Sequence, residues 1–361
     1  MNNTVYQRIW LPGFLFMGVL IGGGYATGRE LVEFFLTAGT VGGLLGMLLA
    51  TAMFSVITAL SFELARLTRS YTYRHFFREL LGRGWFLYEL AYLTLGILVL
   101  AVVGSAAGEI AAQRFGLSPM LGTALLMSLI GVLVFFGTAW VERVLSGWSL
   151  MLYGTYGIFV VCYLATFSGD LWANLAQEDL GSGWFTGGVK YVGYSIAVIP
   201  VILFSVEHME TRRDAFIAGA LAGPIAMIPA FIFFLTMIAT YPDVLDAAVP
   251  ADFMMARLDL PLVSGLFYVA VFGTFVQTGT GFVHAVNERI AEVVQEHNRE
   301  MPRWLRPLVA LLALIFSVSL ASRFGLVDLI AGGYGTLTWV FIAVFLLPLL
   351  TVGLHRIFQG A

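Results

Sequence analysis

The chain has 361 residues, of which 59% are hydrophobic and only 11% charged, with a formal net charge of −3. A soluble domain of this length needs far more charge to keep its surface wet, so a water-soluble enzyme or binding module is excluded. The mean hydropathy of +0.89 and recurring apolar stretches, each long enough for a hydrocarbon core of about 30 Å, predict an all-α polytopic membrane protein.

In chain order, ten transmembrane helices are expected at 9–38, 41–65, 86–112, 119–140, 144–168, 188–210, 214–240, 261–287, 303–322 and 325–355. The first run has no small-residue cleavage site and reads as a retained helix. With the N-terminus in the cytoplasm, Arg8, Arg66, Arg69, Arg74, Arg78, Arg83, Arg143, Arg212, Arg213, Arg289, Arg299, Arg303, Arg306 and Arg356 fall inside. Arg114, Lys190, Arg257 and Arg323 fall outside, so 14 basic residues face 4. By the positive-inside rule this predicts a multi-pass protein of the inner (plasma) membrane with both termini cytoplasmic.

Five spans per half give the halves opposite orientation, so residues 1–168 and 169–361 read as two inverted five-helix repeats within one membrane domain. In each half the long connection follows the second span, at 66–85 and 241–260. The mixed apolar and acidic residues of 242–260 suit a short helix capping a vestibule. Cys162 is the one cysteine, which rules out an intrachain disulfide and any multi-cysteine metal site.

The first span holds Gly22, Gly23, Gly24, Tyr25, Ala26, Thr27 and Gly28. Four glycines in seven residues weaken a helix by about 1 kcal/mol each, and an unwound backbone inside a bilayer must line a cavity or be covered by protein. The matching first span of the second half contains Gly193, Tyr194, Ser195, Ile199 and Pro200. Proline removes a helical donor there. Interruptions at corresponding positions of two inverted halves mark a transport site.

This layout, with the glycine-rich break and the Glu63-Leu64-Ala65-Arg66 ending of the second span, resembles the amino acid–polyamine–organocation (APC) superfamily with its leucine-transporter (LeuT) fold, most closely the YkvI-like group. The resemblance implies that helices 1 and 6 are interrupted and hold substrate with exposed backbone groups. It also implies a sodium site between spans one and eight, made by the carbonyls of Gly22, Tyr25 and Gln277 and the hydroxyl of Thr280. The family's adjacent hydroxyl position falls on Gly281, a departure, and Thr278 lies on another face of the helix. The lysine that replaces sodium in some proton-coupled relatives has no counterpart in span five.

Charged groups deep in a bilayer are costly and usually functional. Glu30 is a candidate to bind a cationic substrate, shuttle a proton or pair with Arg29 as a gate. Glu63 reads either as a partner for freed amides of span six or as a pair with Arg66. His284, with Glu288 a turn on, is a candidate proton relay. Tyr25, Tyr194 and Ser195 are candidates for a substrate wall, and Ser105 on span three for a cavity-facing position. Gly193-Tyr194-Ser195 echoes the Gly-x-Ser of membrane serine proteases. However, Ile196 replaces the closing glycine, and His208 is about 20 Å away along a straight helix. The expected function is a symporter of a small amino acid or related amine working by alternating access, with sodium or a proton as coupling ion and no other cofactor. A receptor or channel on the same fold is the alternative. The expected partners are a small molecule and the lipid bilayer, not nucleic acid.

Overall fold

The computed structural model describes residues 4–136, 138–296, 302 and 304–360, and within the helices the side chains of all but 136, 138–147, 149–150, 288 and 291–296. Arg299 and Arg303 of the charge count lie outside the described residues, as do the side chains of Arg143 and Glu288. The described chain is helical between short connections. Among the described residues, seven stretches are long and apolar enough to cross a membrane by length and composition.

The first span is three pieces, α1 (Leu11–Leu20), α2 (Gly23–Ala26) and α3 (Arg29–Phe34). Then come α4 (Thr40–Thr68), α5 (Tyr73–Leu81), α6 (Phe86–Phe115), α7 (Pro119–Phe136) and α8 (Thr138–Leu175). The second half has α9 (Trp184–Ser195), continued by a 3-10 helix (Ile196–His208), then α10 (Arg212–Ile238), α11 (Pro250–Leu258) and α12 (Pro261–Glu296). The chain ends with α13 (Leu305–Asp328), a π-helical stretch at Leu329–Tyr334, α14 (Gly335–Phe341) and α15 (Leu354–Gln359).

Both long connections hold short helices, α5 in the first half and α11 in the second. The expected loop near 141–143 is instead part of α8, whose helical dihedrals are interrupted at Phe167. Gly325, at φ 65°, ψ 173°, breaks α13 at the expected boundary between the ninth and tenth spans.

In hydrocarbon, helix pairs are held by close packing and interhelical hydrogen bonds, which small residues permit. Helices α4 and α10 show both. Thr58 Oγ1 donates to Gly219 O (2.7 Å) and Ser55 Oγ to Ala220 O (2.8 Å), while the hydrogens of Gly219 and Gly223 leave space for the opposing backbone.

The sixth span corrects an expectation. Backbone dihedrals stay right-handed helical from Ser195 into Ile196, so the change there is from α to 3-10 winding, with no extended gap. Pro200 explains the local chemistry. In an i→i+3 pattern its nitrogen would serve the carbonyl of Ala197, and proline has no N–H to give. Tyr88 OH from α6 donates to that carbonyl instead (2.9 Å). Tyr88 is fully buried and stacked on Phe77 of α5 at 3.6 Å between centroids.

Candidate functional site

The break in the first span is real backbone unwinding. Ile21 leaves the helical region at ψ 83°, Gly22 is extended at φ −101°, ψ −173°, and one helical turn follows before Gly28 adopts φ 79°, ψ −9°. Only Gly28 needs the left-handed region, which glycine enters without a steric penalty. The loosened peptide groups are satisfied from several helices. Gly23 N–H donates to Thr278 Oγ1 on α12 (3.1 Å). Tyr156 OH on α8 donates to Ala26 O, and Ala251 N–H on α11 to Thr27 O (3.0 Å). Thr27 Oγ1 bonds back to Gly24 O (2.6 Å) and accepts from Arg29 N–H (3.2 Å). The interrupted segment is thus the meeting point of α6, α8, α11 and α12.

Glu30 is 6% exposed, one turn past the break. Tyr194 OH donates to its Oε2 (2.6 Å), tying α3 to α9. Tyr194 stacks on Tyr334 at 4.6 Å with an interplanar angle of 16° and meets Tyr191 edge-on at 5.8 Å. Among the described residues no Lys, Arg or His lies within ion-pair distance of Glu30. A Cβ on Gly24 would overlap Glu30 Oε1, so glycine at that position is what admits the carboxylate.

Arg29 does not pair with Glu30. Its guanidinium donates to the carbonyls of Leu245 (2.8 Å) and Ala247 (3.1 Å) and to Glu33 (3.1 Å). It thereby ties the first span to the connection carrying α11, which is itself fixed by Arg114 and Tyr268 on Asp252 (2.7 and 2.6 Å).

Three buried hydroxyls near the breaks have no hydrogen-bond partner among the described residues: Tyr25 OH, Tyr191 OH and Ser195 Oγ. Among the described residues no base hydrogen-bonds the Ser195 hydroxyl, as one would for a serine nucleophile. Tyr25, Tyr153, Tyr156 and Phe233 wall a cavity of about 170 Å³ next to the break, with Ile21, Pro229 and the exposed Ile232 also in its lining. One water needs only about 10–15 Å³ by such a measure, so the cavity has the size for a small organic solute.

Other expected site residues fall elsewhere. Thr280 is buried, but its hydroxyl bonds its own helix at Val276 O (2.7 Å) and Gln277 O (3.3 Å). Thr278 is the hydroxyl that reaches span one. The carbonyls of Gly22 and Tyr25 already accept from Ala26 N–H (3.0 Å) and Gly28 N–H (2.9 Å). Glu63 does not serve freed amides of span six. It is buried against Arg66 (2.8 and 2.9 Å) with Arg212 at 3.8 Å. Ser105 is buried on α6 two residues beyond Val103, whose side chain fills the space above Gly23. Ile199 and Pro200 are buried in the 3-10 segment. His284 lies away from the break, in a separate cleft with Asn287 and Arg306.

Sequence reasoning missed Tyr88, Tyr156, Tyr191 and Tyr334. Their spacing is that of ordinary packing aromatics, and only three-dimensional proximity to the breaks sets them apart.

No family model matches the chain. It is 23% identical over 292 residues to the uncharacterized membrane protein YkvI of Bacillus subtilis (strain 168), covering 77% of this chain and 79% of that one. A solved sodium-coupled sialic acid symporter in a substrate-bound outward-open state superposes with a TM-score of 0.53, over 92% of this chain and 83% of that chain, at 15% identity. The chain has the LeuT fold. A manganese transporter of Eremococcus coleocola is also similar, with a TM-score of 0.48 at 16% identity, covering 96% of this chain and 78% of that chain. The unwound segment at Gly22 and the carboxylate beside it both sit in the first span.

Proposed function

We propose that the protein is a secondary active transporter that carries a small amino acid or related amine by alternating access, with Glu30 as the proton-carrying residue of the coupling step. The observation that carries this reading is the unwound first span with a buried carboxylate beside it, held by a single phenol from α9. A carboxylate buried without a cation is costly in a membrane. A group in that setting can alternate between a neutral, protonated form and a charged form that needs a cationic partner from solvent or substrate. The free hydroxyls of Tyr25, Tyr191 and Ser195 and the aromatic cavity supply polar and apolar contacts for the solute.

Ten crossings in two inverted repeats, 1–168 and 169–361, fit this reading. They follow if the broken first span and α7 are counted with the seven long stretches and Leu305–Gln359 is divided at Gly325. The matched positions of α5 and α11 support the repeat. Arg29, bound to the α11 connection, and Arg289, paired with Glu89 (3.0 Å) and lying 4.0 Å over Tyr73 and Tyr92, close the two ends of the bundle. Both termini would then be cytoplasmic, in an inner membrane.

Sodium coupling is the second reading, favoured by the contact of spans one and eight at Gly23 and Thr278. The carbonyls of Gly22 and Tyr25 each keep a second lone pair for a cation, while that of Gln277 also accepts from Thr280 Oγ1 at 3.3 Å. Uptake of amino acids and amines into proteoliposomes under separate pH and sodium gradients tests both. Accumulation above equilibrium driven by the pH gradient is the expected result. A solute that only equilibrates would show a channel, and one that binds without crossing would show a receptor. Sodium-driven accumulation that Thr278→Ala and Thr280→Ala both abolish would establish the second reading in place of the first.

A further inference from the structure

A cleft of about 480 Å³ opens between α7, α12 and α13 and shares no lining residue with the cavity at the break. Its polar lining is His284 and Asn287 on α12 and Arg306 at the start of α13. Leu311, Leu314 and Val134 form apolar walls. Asn287 is 3% exposed, and its Oδ1 has no hydrogen-bond partner among the described residues. A buried acceptor without a donor costs about 1–3 kcal/mol, so the cleft is built for an occupant that donates a hydrogen bond. Arg306 already has a contact, but a guanidinium carries five N–H donors and can serve an anion as well.

The mouth decides the class of occupant. Phe135 is 71% exposed and Leu311 54%, on helices that face hydrocarbon in a membrane-spanning bundle. A lipid reaches that surface by lateral diffusion in the membrane plane. Basic pockets between transmembrane helices bind anionic headgroups in this way.

We infer that the cleft holds the headgroup of a phosphatidylglycerol-type lipid. Its phosphate meets Arg306 and His284, a glycerol hydroxyl donates to Asn287 Oδ1, and an acyl chain runs along Leu311 and Leu314. A choline headgroup has no hydrogen to donate, and phosphatidylglycerol carries a net negative charge that complements Arg306.

The test is thermal unfolding and native mass spectrometry of the detergent-purified protein with phosphatidylglycerol, phosphatidylcholine or inorganic phosphate added separately. Phosphatidylglycerol is expected to stabilise the protein and remain bound, with neither of the other two doing so. Asn287→Leu is expected to weaken that binding about fivefold, the equivalent of one hydrogen bond. Leu311→Trp, at an exposed position that leaves the core untouched, is expected to weaken it by filling the mouth. It carries the test if Asn287→Leu does not fold. Equal stabilisation by inorganic phosphate or phosphatidylcholine would overturn the inference. So would a Leu311→Trp protein that binds phosphatidylglycerol as well as the parent.

Discussion

Replacing Glu30 with Gln is expected to abolish pH-gradient-driven accumulation while leaving solute exchange between equal internal and external pools. The substitution keeps the shape and can still accept from Tyr194 OH, whose bond to Oε2 is 2.6 Å, but it removes the titrating group. With no proton to carry, uphill transport should fall to the level of passive equilibration. Tyr194→Phe, which loses the phenol but keeps the ring stacked on Tyr334, should cost less. Retained exchange separates lost coupling from lost folding. Full accumulation by the Gln variant would remove Glu30 from the mechanism.

Gly219→Ala is expected to give a large loss of stability through the α4–α10 interface. A Cβ there would overlap the backbone N and Cα of Ala59 across the α4–α10 contact. Main chain cannot rotate aside as a side chain can, so the two helices must separate. Separation would also stretch the Thr58 to Gly219 and Ser55 to Ala220 hydrogen bonds. Overpacking of this kind costs about 1–3 kcal/mol, so the melting temperature in detergent should drop by several degrees. Gly18→Ala on α1, where nothing lies within 4 Å of the added methyl, is the matched control. It should hold or raise stability, because alanine is favoured over glycine in a helix by about 1 kcal/mol. Equal behaviour of the two variants would refute the close-contact account of α4 and α10.

The broken first span was legible because four glycines in seven residues are too costly for a buried continuous helix, and Gly28 indeed needs its positive φ. The sixth span misled because proline alone does not say whether the backbone opens or tightens. A 3-10 coil with Tyr88 on the orphaned Ala197 carbonyl satisfies Pro200 without a gap. Arg29 was weighed as a partner of Glu30, yet adjacent helical residues point about 100° apart, whereas i,i+4 neighbours meet. The observed pair is accordingly Arg29 with Glu33. On span eight the hydroxyl that meets the first span is Thr278, while Thr280 bonds within its own helix; which face of a helix meets a break 255 residues away in the chain cannot be read from local sequence. The aromatic ring around Glu30 draws on Tyr191, Tyr194 and Tyr334 from two distant segments, and nothing in their local sequence announces that they converge.

The most direct measurement of alternating access at the break is thiol labelling of Gly22→Cys in a Cys162→Ala background. Gly22 is extended, and a Cβ there has only Thr278 Oγ1 near it, at 3.9 Å, so the position tolerates a side chain. A membrane-impermeant reagent applied from each side of oriented vesicles should label the cysteine from both, with solute protecting it. Labelling from neither side, or from one side alone whatever gradient or solute is present, would contradict a transport pathway through the unwound segment.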